Sequence, residues 1–173
     1  MKNKPLKVII EGGDGTGKST LIRNLLGKLE NMNTLHLSYR DGTSYEFYNN
    51  LLDINRIIFD RHFLSEIVYA AVFGRKCNLS QEEIDALFDK CKKQNIKILI
   101  LDTSFETIKK RLAIRGEDEE AVLRNTAYIK TEFLKLAAKY DILVIDTQNV
   151  DLDSIVEYIE GESNEKYKSY MFK

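Results

Sequence analysis

Hydrophobic and polar residues alternate in blocks along the chain, and each block has the length and period of a strand or a helix. Short apolar runs predict five strands, at residues 7–11, 34–39, 56–60, 96–102 and 142–146. Between them, apolar residues recur at the spacing of amphipathic helices. The helices predicted from this spacing include 17–30, 61–73 and 151–159. Strands that alternate with helices predict an α/β fold: a five-stranded parallel sheet with helices on both faces, in three layers.

Length and composition narrow the class of protein. The chain has 173 residues, 43% of them hydrophobic, and a net charge of −1. These values predict one domain over residues 1–173, with a polar tail at about 161–173. The charge balance gives no reason to expect nucleic acid as a partner. Without an apolar run of membrane-spanning length, and with Cys77 and Cys91 in no metal-like pattern, we expect a cytoplasmic protein with reduced thiols and no membrane contact.

The first strand runs directly into a glycine-rich loop. Residues 12–19 read G-G-D-G-T-G-K-S, which matches G-x-x-x-x-G-K-S between a strand and a helix. In such a phosphate-binding loop the backbone N–H groups point at phosphate oxygens, and the following helix adds its positive end. Lys18 would bridge the β- and γ-phosphates of ATP, and Ser19 would bind Mg²⁺. The predicted phosphate-binding residues are Gly13, Asp14, Gly15, Thr16, Gly17, Lys18, Ser19 and Thr20.

Two further places carry charged residues suited to phosphoryl transfer. Asp60 and Arg61 follow the third strand, and ligands of parallel sheets bind at the carboxyl ends of strands. Asp60 would hold Mg²⁺ beside Ser19, or else only cap the next helix. Arg111 and Arg115 lie four residues apart on one helix face, as in an arginine-bearing lid at about 111–120, or else as exposed ion-pair partners.

Three of these stretches resemble the thymidylate kinase family. Residues 11–20 follow its loop pattern E-G-x-D-G-x-G-K-[ST]-[ST], and Asp60-Arg61-His62 is followed, as in the family, by a serine (Ser65) and a tyrosine (Tyr69). Residues 111–117, R-L-A-I-R-G-E, are similar to the lid of bacterial-type members. The resemblance implies a kinase that transfers the γ-phosphoryl group of MgATP to a deoxynucleoside monophosphate, with dTMP as the first candidate.

The resemblance also implies roles for single residues. Lys18, Arg111 and Arg115 would stabilise the transferred group, and Asp60 would complete the catalytic set. The acceptor side would comprise Asp14, Arg40, Asp41, Arg61, Ser65 and Tyr69. In the family, the residue matching Arg61 holds the acceptor phosphate and the one matching Asp14 contacts the sugar 3′-hydroxyl, although Asp14 could instead shape the turn. Relatives further imply a homodimer through the helix after Asp60, whose apolar residues could equally face the core.

The chain departs from the family at the acceptor. After Arg40-Asp41-Gly42-Thr43, the family inserts a long segment before the third strand, and only about a dozen residues remain here. That segment normally carries a phosphate-binding arginine and a phenylalanine that stacks on thymine. Phe47 or Tyr48 could replace the phenylalanine, although aromatic residues in short helices more often pack in the core. Glu66 also replaces a family serine, and Ala70 a glutamine.

Two other functions fit parts of the sequence. A deoxynucleoside kinase needs a general base for a hydroxyl acceptor, and Asp41 is the available carboxylate. A nucleotide-binding switch or inactive kinase needs only the loop, although the guanine-specific N-K-x-D signature is absent after the fourth strand. Among lesser candidates, we expect His36 to be packed in its strand. His62 could line the acceptor pocket, and the turn at 147–149 is a candidate adenine contact.

Overall fold

The protein is described by a computed structural model that covers residues 5–115 and 119–161, without the side chains of residues 115 and 119–122. The five strands are β1 (Lys7–Glu11), β2 (Asn33–His36), β3 (Ile57–Asp60), β4 (Lys97–Asp102) and β5 (Leu143–Asp146). The helices of the described residues are α1 (Lys18–Lys28), α2 (Tyr45–Leu51), α3 (Phe63–Phe73), α4 (Gln81–Lys93), α5 (Phe105–Arg115), α6 (Glu119–Tyr140) and α7 (Leu152–Glu160).

The strands form one parallel sheet in the order β2-β3-β1-β4-β5. β1 lies at the centre, and all five of its residues are buried, as expected for a strand covered on both faces. Its neighbours in register are Asp60 of β3, opposite Ile10, and Ile100 of β4, opposite Glu11. The predicted five-stranded parallel sheet and its fold class are therefore confirmed.

Two hydrophobic cores lie on opposite faces of this sheet. On one face, side chains such as Ile9 and Phe59 pack against α2, α3, α4 and α6. On the other face, Val8, Ile10 and Leu99 pack against α1 and α7. Alternate residues of β1 thus enter different cores, because successive side chains of a strand point to opposite faces.

The second strand is shorter than its apolar pattern predicts. It ends at His36, where the register pairs His36 with Asp60, the last residue of β3. Only one more backbone bond follows, from the Leu37 N–H to the Asp60 carbonyl (3.0 Å). Residues 37–39 consequently continue as an open stretch along the carboxyl edge of the sheet, where they can contact a ligand.

The prediction that His36 is packed in the sheet is wrong. Its side chain is 58% exposed, because β2 is an edge strand with only one neighbour. At the start of α4, Ser80 and Glu83 form a capping box, a pattern that the sequence carries locally. Gly74 ends α3 in the left-handed conformation (φ 61°).

Several of the apolar residues of α3 that could have formed a dimer surface face the protein's own core, although Phe73 at its end is 57% exposed. Phe63, Leu64 and Val68 are all buried there. A homodimer stays a prediction. Among the described residues, no helix combines the length and apolar character that crossing a membrane requires.

Candidate functional site

The phosphate-binding loop leaves β1 at the carboxyl edge of the sheet and enters α1. At Gly12, φ is 142°, and a Cβ atom there would lie 2.7 Å from the Leu101 carbonyl oxygen. Only glycine fits such a position without moving β4. The Thr16 hydroxyl donates to the Gly13 carbonyl (2.8 Å) and is buried, so it braces the turn from inside. The loop is thus held open by its own residues.

Lys18 lies folded against this loop. Its Nζ donates to the carbonyl oxygens of Gly12 and Gly13, both at 2.8 Å. Burial and then the positive charge of Arg61 lower the pKa of Lys18 to about 8. Asp14, Asp60 and Glu11 oppose that shift, so these three carboxyl groups lie within electrostatic reach of the ammonium. Because this ammonium group is already shielded from water, it can exchange the carbonyl oxygens for phosphate oxygens with little further loss of hydration.

Arg111 of α5 contacts the same loop from its other side. Its Nη1 donates to the Gly15 carbonyl (2.9 Å) and to the Thr147 hydroxyl (3.2 Å). A cavity of about 330 Å³ opens beside it, and Thr147 lies in its wall, where the sequence suggested an adenine contact. The wall residues are Gly17, Thr20, Leu21, Asn24, Arg111, Ile114, Thr147 and Val150.

Part of the predicted lid lies outside the described residues. Residues 116–118 are not described, and for Arg115, Glu119 and Glu120 only the backbone is described. The backbone of Arg115 ends α5, one turn after Arg111. The lid at 111–120 and the role of Arg115 therefore stay predictions.

Asp60 ends β3 next to the loop. Its Oδ2 lies 2.9 Å from Nδ1 of His36, while its buried Oδ1 has no hydrogen-bond partner within residues 5–115 and 119–161. Ser19 is exposed at the first turn of α1, on the same edge of the sheet. Mg²⁺ is typically held by one or two protein ligands together with water and substrate phosphates. An unpaired carboxylate oxygen and an exposed hydroxyl fit that mode of binding.

Arg61 follows Asp60 in a strained conformation. Its φ is 72°, a left-handed value that is costly for a residue with a side chain. The turn sends its guanidinium toward the loop, where Nη2 donates to Asp14 Oδ1 (2.7 Å) and Nη1 to the Tyr69 hydroxyl (2.7 Å). The structure therefore brings together Asp14, Arg61 and Tyr69, three residues predicted to face the acceptor.

Glu11 has a role that the sequence reasoning missed. Its fully buried carboxylate accepts the N–H of His62 (2.7 Å), the N–H of Ser65 (3.2 Å) and the Ser65 hydroxyl (2.6 Å). These are groups of the first turn of α3, so Glu11 caps that helix across 51 residues of sequence. Burial raises the pKa of Glu11 to about 7. The available signal was a carboxylate at the end of an otherwise apolar strand.

A second, larger cavity of about 640 Å³ opens beside the loop and α3. Besides Asp14, Arg61, Ser65 and Tyr69, its wall contains groups that no motif indicated, chiefly His36, Tyr39, Glu66 and Arg75. His62 also lies in this wall, buried among Tyr48, Phe59 and Phe63. Burial lowers the pKa of His62 to about 3, so its ring is neutral at physiological pH.

Two predicted acceptor residues lie away from this cavity. Arg40 and Asp41 are exposed in a turn that is closed by the Thr43 hydroxyl on the Arg40 carbonyl (2.7 Å). Asp41 accepts a long hydrogen bond from the Tyr39 hydroxyl (3.3 Å). Neither residue belongs to the cavity wall. Of the two aromatic candidates, Tyr48 is buried in the core and borders the cavity, while Phe47 is partly exposed.

Comparison with curated proteins finds a prophage-derived protein and several guanylate kinases. No protein-family model matches the chain. The SPbeta prophage-derived protein YorR of Bacillus subtilis is 31% identical over 116 residues, covering 64% of this chain and 70% of YorR. The guanylate kinase of Rickettsia typhi is 28% identical over an alignment of 186 residues, covering 93% of each chain.

Solved structures of nucleotide-binding proteins resemble this chain in fold. The crystal structure of Bacillus subtilis YorR in complex with phosphorylated GDP matches with a TM-score of 0.74 and 26% identity, covering 90% of this chain and 94% of that one. Thymidylate kinase from Candida albicans matches at 0.61, with 19% identity and 92% of each chain covered. Deoxyadenosine kinase from M. mycoides with bound dATP matches at 0.56, with 20% identity, over 91% of this chain and 98% of that one. The last two likenesses show the shared fold; together, the comparisons support a nucleotide kinase.

Proposed function

The chain belongs to the same family as the YorR protein of Bacillus subtilis, and we propose that it transfers the γ-phosphoryl group of ATP to a nucleoside monophosphate. The observation that carries this proposal is that the phosphate-binding loop and the larger cavity adjoin each other. The loop that holds Lys18 also supplies Asp14, whose carboxylate binds Arg61 in the wall of the larger cavity (2.7 Å). A phosphate donor on the loop and an acceptor in the cavity would meet there.

The transfer needs positioning and charge stabilisation rather than protein covalent chemistry. A phosphate oxygen of the acceptor attacks the γ-phosphorus, and the bond from that phosphorus to the β–γ bridging oxygen breaks. The products are ADP and a nucleoside diphosphate. Ser19 and Asp60 would hold Mg²⁺, which would supply positive charge to the β- and γ-phosphates. Lys18 and the loop N–H groups would stabilise the same oxygens, and Arg111 would add charge from α5; for Arg115 this role is a prediction from the sequence.

On the acceptor side, Arg61 would bind the monophosphate. Its guanidinium is held by Tyr69 and by the half-exposed Asp14, so an incoming phosphate can share or displace the Asp14 bond. Asp14 would then be free to accept a hydrogen bond from the sugar 3′-hydroxyl. Ser65 would complete the wall from α3, where Glu11 fixes its hydroxyl (2.6 Å).

A monophosphate fits this site better than a nucleoside. A phosphate acceptor already carries an anionic oxygen, whereas a hydroxyl must lose its proton to a general base. Asp41, the carboxylate that the sequence suggests for this base, is exposed and is not part of the cavity wall. This arrangement supports monophosphate kinase activity over deoxynucleoside kinase activity.

The base of the acceptor is a finer question with two candidates. The resemblance in the sequence favours dTMP. The guanylate kinase relatives and the phosphorylated GDP in the YorR structure favour a guanine nucleotide. Both candidates are monophosphates in this proposal and differ only in the contacts to the base.

The test is a transfer assay with MgATP and a panel of nucleosides and nucleoside monophosphates, with products separated by chromatography. We expect diphosphates from at least one monophosphate and no monophosphate from any nucleoside. Phosphorylation of nucleosides, reduced by Asp41→Asn, would assign the chemistry to the alternative kinase. ATP binding without transfer to any acceptor would reject kinase activity.

A further inference from the structure

A buried ion pair closes the far wall of the larger cavity. The Glu66 side chain is only 1% exposed, and both of its oxygens accept from Arg75, Oε1 from Nη1 and Oε2 from Nη2, at 2.7 Å each. Glu66 is on the first turn of α3, while Arg75 follows the glycine that ends that helix. The arginine side chain therefore reaches back along α3 to form the pair.

Glu66 has little capacity left for a ligand. Besides the two bonds from Arg75, its Oε1 accepts the N–H of Asn78 (2.9 Å). A carboxylate offers about four acceptor positions, and these bonds occupy three of them. Glu66 is thus suited to hold Arg75 rather than to bind a substrate itself.

Arg75, in contrast, keeps an unused pair of donors. A guanidinium has five N–H groups. Two bind Glu66, and a second hydrogen of Nη1 points to the Lys76 carbonyl at 3.4 Å. The Nε–H and the second Nη2–H remain; they lie side by side on one edge and have no partner in the part of the chain that the structure describes. Arg75 is 24% exposed and belongs to the cavity wall, so ligands can reach it.

Tyr39 fixes the plane of this guanidinium. The Arg75 Cζ lies 4.3 Å from the centroid of the Tyr39 ring, an aromatic side chain that is itself 58% exposed. With Glu66 on one edge and Tyr39 on one face, the arginine is held in a defined orientation before any ligand arrives. Such preorganisation favours specific recognition, because less conformational freedom is lost on binding.

We propose that Arg75 reads the base of the acceptor nucleotide and selects guanine, an inference that rests on the proposed monophosphate kinase function. Guanine presents O6 and N7 as neighbouring acceptors, which two parallel N–H groups of arginine bind together. Adenine replaces O6 by an amino donor, which faces the guanidinium unfavourably. Thymine offers one oxygen and a methyl group on that edge.

The two arginines of the cavity differ in what they touch, which separates their roles. Arg61 binds Asp14 of the phosphate loop, so it lies at the phosphate end. Arg75 binds Glu66 and Tyr39, and its charge is balanced by a buried carboxylate. A nucleotide with its phosphate at Arg61 would extend its base toward Arg75.

The first test uses the unmodified protein with dGMP, 7-deaza-dGMP, dAMP and dTMP as acceptors. The deaza analogue lacks only the N7 acceptor, so it removes one of the two bonds to Arg75. We expect dGMP to be the preferred acceptor, and kcat/KM to fall about 2- to 12-fold from dGMP to 7-deaza-dGMP, which corresponds to half the free energy of a bidentate arginine–guanine contact. Equal use of these two nucleotides, or preference for dTMP, would overturn the inference while leaving the kinase proposal intact.

The second test uses Arg75→Lys, which keeps the charge but removes the fork of donors. The variant should bring the ratio of kcat/KM for dGMP to that for 7-deaza-dGMP closer to one, because dGMP loses the paired contact to O6 and N7 while the analogue loses only the contact to O6; a merely structural role would leave the ratio unchanged. Arg23→Lys, at an exposed position on α1, is the matched control and should keep the wild-type ratio. If no monophosphate is phosphorylated at all, the proposed function fails. Calorimetric titration of the unmodified protein with dGMP and its deaza analogue then decides on Arg75 alone.

Discussion

The donor and acceptor sides of the candidate site are assembled in different ways. In the loop, Lys18 bonds to carbonyls only six and five residues away, and Thr16 to one three residues away. In the acceptor cavity, Arg61 bonds to Asp14 across 47 residues and Ser65 to Glu11 across 54. The loop is a local structure that a short motif encodes. The cavity exists only when β1, β3 and α3 lie side by side.

This difference predicts two kinds of mutational effect. Loss of the Lys18 side chain from the loop should reduce turnover with little effect on the fold, because its bonds are local. A change in the cavity should alter acceptor recognition and stability together, because the same contacts hold α3 in place.

The largest effect is expected from Lys18→Ala. Loss of one preorganised donor to the transferred group should lower kcat by at least about 10²- to 10³-fold. The melting temperature should stay close to that of the unmodified protein. The Lys18 ammonium is largely desolvated, and it binds only carbonyl oxygens of the loop, to which water can donate instead in the variant. Steady-state kinetics and thermal unfolding measure the two quantities. A folded variant with normal turnover would refute the role of Lys18.

Arg61→Lys sharpens the contrast from the acceptor side. Lysine keeps the charge but cannot bond to Asp14, Tyr69 and a phosphate in the fork geometry of arginine. We expect the KM for the monophosphate to rise about 10- to 100-fold, the scale of one charged hydrogen bond, while the KM for ATP changes little. Initial rates with each substrate varied in turn separate the two. An equal rise in the KM for the monophosphate and the KM for ATP would contradict separate sites for the two substrates.

Glu66→Gln tests the structural part of the acceptor wall. It breaks the ion pair with Arg75 and leaves a partly buried guanidinium without its counter-charge, at a cost of about 2 kcal/mol in the free energy of unfolding. Urea unfolding measures the loss. The control is Glu132→Gln in the exposed pair with Lys135, which should change stability by less than about 0.5 kcal/mol. Equal stability of the two variants would show that burial adds nothing at Glu66.

The smallest predicted effect is a pH dependence of stability through Glu11. Burial raises its pKa from the ordinary 4.5 to about 7, so between these values the folded protein binds more protons than the unfolded chain. The contribution of Glu11 is therefore fully present below about pH 4.5 and is lost as the pH rises to 7.

Glu11→Gln removes this titration. From pH 6 to pH 7, the stability of the unmodified protein should fall relative to that of the variant by about 1 kcal/mol. Urea unfolding at a series of pH values gives the difference. Glu157→Gln, exposed on α7, should show no such trend. A relative change of the opposite sign would mean that the caps on α3 keep Glu11 ionised.

The predictability of each region follows the range of its contacts. Apolar periodicity predicted the sheet and its two layers of helices, because β1 and β4 are buried on both faces and read as continuous apolar runs. It failed at the end of β2, since that end depends on where β3 stops pairing. The same pattern wrongly predicted that the His36 side chain is packed. The burial of a residue on an edge strand depends on the strand beside it, which local periodicity does not show.

The sequence by itself determined the α/β fold, the phosphate-binding loop and the place of Asp60 and Arg61 at a strand end. All of these follow from local patterns of glycine, charge and hydrophobicity. Only the tertiary structure decided that Glu11 caps α3, that Arg40 and Asp41 lie outside the cavity, and that Arg75 lies inside it, paired with Glu66. The physical reason is that these contacts join segments whose separation in space depends on sheet order and helix packing, which no short stretch of sequence encodes.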